Sequence, residues 1–98
     1  MPNQKVDESF ADGEPVDDSD KVFNIIKLGP EIREAHNTFE VINTQVDLMR
    51  DILKVDYRVR KSILSELNDG YNYWEPLIGE TNPLCIKIAG IIRKIKSI

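Results

Sequence analysis

"EIREAHNTFEVINTQVDLMRDILKVDYRVRKSILSELN", residues 31–68, contains neither proline nor glycine. A breaker-free run of this length reads as helix, roughly 57 Å long if straight. Its apolar residues fall on two lines. The first is Ile32, Ala35, Phe39, Ile42, Val46, Met49 and Leu53, in strictly alternating steps of three and four, the spacing of a heptad seam. The next position on that line is Asp56, where the seam stops. The second line is Val41, Leu48, Ile52, Val55, Val59 and Ile63, roughly 120° around the helix from the first. One apolar stripe needs one neighbour; two stripes need neighbours on two sides.

The rest of the chain supplies two shorter helices. Residues 20–28 form the first, with Ser19 or Asp20 as N-cap and Gly29 as a left-handed stop. Pro30 then opens the long helix, where its missing N–H costs nothing. Asp69-Gly70 ends that helix, with Gly70 as its left-handed residue, and residues 69–82 read as a loop rich in turn formers and aromatics. Asn82 and Pro83 start the last helix, 83–97. There Leu84, Ile88, Ile91, Ile95 and Ile98 repeat in steps of four and three, with Cys85 and Ile92 widening the face. Lys87, Arg93, Lys94 and Lys96 take the other side, and Gly90 offers a place for close backbone approach. The expected class is all-α: a short, a long and an amphipathic C-terminal helix, in a bundle or a coiled-coil-like oligomer.

Laid end to end, the two shorter helices cover roughly 37 Å of the long one, each on one side. Apolar surface is left over, so the sequence predicts a homo-oligomer or an obligate complex. Its seam would be Ile32, Phe39, Ile42, Val46, Met49 and Leu53 with Leu84, Ile88, Ile91 and Ile95. The alternative is a break near Asp56 that folds the run back into a monomeric bundle.

Charge is polarised along the chain. Residues 1–20 hold seven acids and one Lys, and residues 83–98 hold four basic residues and no acid. Residues 1–19 are too polar and too charged to bury surface, so they read as a disordered acidic tail ahead of a helical domain, 20–98. Ser9 with Asp12 would suit an acid-directed kinase, although an unmodified solvated serine is the commoner case. The lone cysteine excludes an intrachain disulfide and fits a reducing compartment, cytoplasm or nucleus. No segment reads as a secretion signal, and the C-terminal apolar segment is too short and too charged to span a bilayer.

Catalytic and cofactor chemistry finds little purchase. His36 stands without a second His or Cys at ligand spacing, Cys85 has no His to activate it, and no phosphate-binding glycine loop is present. The expectation is a non-enzymatic chain with no cofactor or metal. Arg50, Lys54, Arg58 and Lys61 would share one face of a continuous helix, as anion contacts or as a solvated face paired with Asp47 and Asp51. Overall acidity and the absence of a recognised motif disfavour nucleic acid. Tyr71, Tyr73 and Trp74 are candidate partner anchors, or a lid on the end of the core. The leading function is an assembly or adaptor protein, of the kind found as small subunits of complexes and as viral or phage accessory proteins. Two alternatives stand beside it. One is membrane-surface binding through residues 84–98; the other is an acidic regulator that blocks a basic site with its tail.

Overall fold

The computed structural model describes residues 18–98. The acidic tail and Ser9 fall outside the described residues, apart from Asp18 and Ser19, which already belong to a helix. Five helices follow: α1 (Asp18–Lys27), α2 (Gly29–Leu48), α3 (Arg50–Val55), α4 (Tyr57–Ile78) and α5 (Pro83–Lys96). The fold is all-α, with no strand among the described residues.

The single helix expected over 31–68 is interrupted twice. Met49 is a kink only: its φ of −101° and ψ of 15° disturb the helix, yet its N–H still reaches the Gln45 carbonyl at 2.8 Å. Asp56 is a true break, with extended backbone (φ −107°, ψ 99°). Its carboxylate accepts from the amides of Arg58 (3.0 Å) and Val59 (3.2 Å), capping α4. Such a cap is worth about 1 kcal/mol. A straight helix would instead carry Asp56 into the apolar seam, where a carboxylate without partners is costly. Arg60 tightens the corner by donating to the Leu53 carbonyl at 2.6 Å.

Beyond Asp56 the chain runs back along α2, and the Phe39 ring of α2 lies against Gly70 of α4. Gly70 is therefore neither a stop nor left-handed. It sits inside α4, where a Cβ would come within 2.5 Å of the Phe39 ring. The loop expected over 69–82 shrinks to residues 79–82, because α4 continues to Ile78 with Pro76 inside it. Leu64, Leu67, Tyr71, Trp74 and Ile78 explain why: they repeat in steps of three and four, and all join the core. Burying that line outweighs the one backbone bond Pro76 cannot make, and both Pro76 and its lost partner Asn72 lie on exposed surface. Gly79, at φ 94°, is the positive-φ glycine that ends the helix. Gly29 shows no such conformation and is the first residue of α2.

Helix α5 starts where Asn82 accepts from the Leu84 amide at 2.9 Å, and it runs parallel to α2. Two ion pairs one heptad apart set that register, Lys87 to Glu40 and Lys94 to Asp47, the second at 2.8 Å. No close approach occurs at Gly90, whose nearest neighbour is an Arg93 nitrogen at 3.9 Å from a Cβ position. The core forms between α2–α3, α4 and α5. Helix α1 runs into α2 almost without interruption, since Leu28 donates to Asn24 and Ile32 donates to Leu28, both at 2.8 Å. Asn24 also donates to the Leu77 carbonyl (2.9 Å), satisfying an acceptor that the end of α4 leaves free. The result is a rod of about 63 × 25 × 16 Å, with α1 at one end and the Asp56 corner at the other.

Candidate protein-docking surface

The first apolar line lies in or against the chain's own core. Phe39, Ile42, Val46 and Leu53 are buried, with Ile32, Ala35 and Met49 half-buried beside them. From α5, Leu84, Cys85, Ile88, Ile91 and Ile95 complete it. The estimate that only two short helices could cover this line needs correcting. The break at Asp56 makes a further covering helix, α4, out of the same run. The seam residues are thus spent within the chain, and surface available to a partner must be sought elsewhere.

The second line supplies it. Val41 is 57 % exposed, Leu48 81 %, Ile52 49 % and Val55 84 %. The corner divides this line: Val59 and Ile63 are carried onto α4 and pack against the core, whereas the other four stay outside on α2 and α3. Single exposed apolar residues are ordinary, but Leu48, Ile52 and Val55 follow one another at three-four spacing, and a cluster of this kind is a feature of interaction surfaces. Beside it runs an open groove between α2 and α4, lined by Gln45, Met49, Asp56, Arg58, Val59 and Ile63. Apolar Met49, Val59 and Ile63 line it together with polar Gln45, Asp56 and Arg58. It is open along its length, a shape that takes a helix more readily than a small molecule.

A second apolar patch lies at the other end of the rod. On α1, Lys21 and Asn24, with Leu28 just after it, turn toward the rest of the protein, while Val22, Phe23 (62 % exposed) and Ile26 (74 %) face outward. The stem of Lys21 lies over Gly79. Sequence reasoning placed these residues in a short helix, 20–28, and missed the patch. The signal was available: α1 has apolar residues on more than one side, and only one side can be covered.

The aromatic trio separates. Trp74 is buried and meets Tyr73 edge to face, with ring centroids 5.1 Å apart; Tyr71 is half-buried against the core. Burial raises the Tyr71 phenol above its ordinary pKa, and Glu80 adds to the shift. Of the three, Tyr73 alone keeps an exposed ring. Arg50, Lys54, Arg58 and Lys61 are all exposed, but the extended backbone at Asp56 divides them between α3 and α4, so they do not form one helical face. Arg58 and Lys61 line a shallow face of α4 together with Glu66 and Asp69. Asp47, expected to pair within its own helix, reaches across to Lys94. Tyr57 at the corner carries the Arg60 and Lys61 side chains over its ring at 5.9 and 5.8 Å.

The thiol of Cys85 is buried, and burial raises its pKa. His36 is half-buried on α2. Among the described residues, no group of three or more His, Cys, Asp or Glu is placed to hold a metal ion. No helix among them is long and apolar enough to cross a membrane. Compared with protein-family models, curated proteins and solved structures, the chain finds no significant match.

Proposed function

We propose that this chain is a non-enzymatic assembly or adaptor protein, a helical scaffold that presents an apolar surface to another protein chain. The exposure of Val41, Leu48, Ile52 and Val55 in one line carries this reading. Desolvating such a line against a complementary helix yields about 25 cal/mol per Å² of apolar surface. The sealed core beneath holds the surface in shape, so little ordering cost falls on binding.

Membrane-surface binding through α5 fits less well. Leu84, Ile88, Ile91 and Ile95 would have to leave the core to meet lipid. The acidic-regulator alternative rests on residues outside the described ones.

The test compares wild type with Leu48→Gln/Ile52→Gln as bait for cross-linking in the native host. Both substitutions are on exposed positions, so the fold is retained and checked by circular dichroism. Cross-linked protein chains should be found with wild type and lost with the variant. An unchanged set of cross-links would overturn the reading.

A further inference from the structure

We propose that the occupant of the exposed stripe is α1 of a second copy of this chain, so that the protein associates head to tail. This rests on the stripe being a protein-docking surface and adds the identity of the partner. Two features carry it.

The first is charge. Helix α1 itself is balanced, but the end of the rod built from residues 18–34 and 75–80 holds six acids and three basic residues, net −3. Residues 50–61, around the corner, hold five basic residues and two acids, net +3. Helix α5 runs parallel to α2, so its C-terminal turn, with Arg93, Lys94 and Lys96, lies toward that same end. The described residues thus give the rod a polarity, acidic at the α1 end and basic at the corner. Two copies meeting α1 to α1 would bring two acidic ends together, and corner to corner two basic ones. Only the heterologous contact brings opposite charges together, which favours encounter and register.

The second is apolar surface. Phe23, Ile26 and Val22 at one end and Leu48, Ile52 and Val55 at the other are uncovered. A contact between equivalent patches covers one and leaves the other in water; the head-to-tail contact covers both. The lengths agree as well. The ten residues of α1 span roughly 15 Å, and the twelve from Gln45 to Asp56 span roughly 18 Å. Gln45 and Met49 on the groove wall are turn neighbours of Leu48 and Ile52, so a helix seated there meets groove and stripe together. Within one chain the contact is excluded, because α1 is pinned at the far end of the rod through Asn24 and Leu77. A heterologous contact of this kind extends into chains or closes into rings.

Two neutral double variants test it: Phe23→Gln/Ile26→Gln removes the α1 patch, and Leu48→Gln/Ile52→Gln removes the stripe. Sedimentation velocity is run from micromolar to millimolar concentration, with helicity checked by circular dichroism. Wild type should grow beyond two protomers, and less so when salt is raised to half-molar. Each variant alone should be monomeric, with self-association weakened roughly tenfold or more. An equimolar mixture of the two should form a dimer and stop there, since one intact α1 then meets one intact stripe. A monomeric wild type, a dimer that persists in either variant alone, or a mixture that stays monomeric would each overturn the proposal. A monomeric wild type that still cross-links to another protein through the stripe would overturn head-to-tail association and leave the docking-surface reading standing.

Discussion

Helices α2 and α3 carry two apolar lines of similar composition with opposite fates. Val46 and Leu53 on the first are fully buried, whereas Leu48 and Val55 on the second are more than four-fifths exposed. Residue type does not separate them, since valine and leucine occur on both. What separates them is where the chain turns. Asp56 interrupts the first line at its next position and starts a helix that comes back over it. The residues of the second line after the corner move with α4 into the core; those before it are left behind. A single aspartate thus decides which line becomes core and which remains surface.

The sharpest way to break this comparison is to truncate one residue on each line. Leu53→Ala empties a fully buried site and should cost about 2–5 kcal/mol. Leu48→Ala, on the open line, should stay within about 0.5 kcal/mol of wild type in dilute solution. Urea unfolding followed by circular dichroism reads both. Equal losses would mean that the second line is also covered, and the distinction between the lines would fall.

The all-helical class was legible in the sequence because the three-four spacing of Ile32 to Leu53 and of Leu84 to Ile98 has no strand counterpart. Less legible was the end of α4. Asn72, Pro76 and Gly79 are strong local turn signals, yet Leu64, Leu67, Tyr71, Trp74 and Ile78 share one helical line that runs through them. Tertiary burial outweighed local propensity there. The corner was half legible. The seam's collision with Asp56 was visible, but a sequence without proline or glycine does not say whether a helix ends or tolerates one aspartate on its apolar face. The candidate surface was legible as a second stripe. Its exposure was not, because exposure depends on which helix covers which line, and that followed from the corner.

Two glycines sharpen the comparison at the level of backbone contact. Gly70 faces α2 on the sealed side, and a methyl there meets the Phe39 ring at 2.5 Å. Gly70→Ala should therefore lose roughly 1–2 kcal/mol, overpacking outweighing the better helix propensity of alanine. The loss should shrink in a Phe39→Leu background, which removes the ring from the contact. Gly90 lies on the open side of α5, with nothing but an arginine tip near it. Gly90→Ala should gain about 0.5–1 kcal/mol. Thermal unfolding of wild type, the three single variants and the Phe39→Leu/Gly70→Ala double variant gives the comparison directly. A Gly70→Ala variant as stable as Gly90→Ala would show that α2 and α4 do not approach at Phe39.

The smallest effect concerns the side of α2 that carries neither apolar line, where Glu40 holds α5 in register. Glu40 accepts a hydrogen bond from Lys87, and that bond, reinforced by the ammonium charge, lowers its carboxyl below the ordinary value of 4.5. The sign follows from which state binds protons more readily. The unfolded chain takes up the proton first, so Glu40 contributes stability that is fully present above the ordinary glutamate value and is lost as pH falls through the lowered one. Glu40→Gln removes the titrating group. The stability gap between wild type and variant should be constant well above pH 4.5 and narrow below it. The pair is exposed, so the gap should be small and should shrink further in half-molar salt. Urea midpoints of both proteins, measured from about pH 7 down to about pH 3, provide the check. A gap that ignores pH would mean that Lys87 and Glu40 do not pair in solution. The parallel register that seals the first line would then rest on side-chain packing alone.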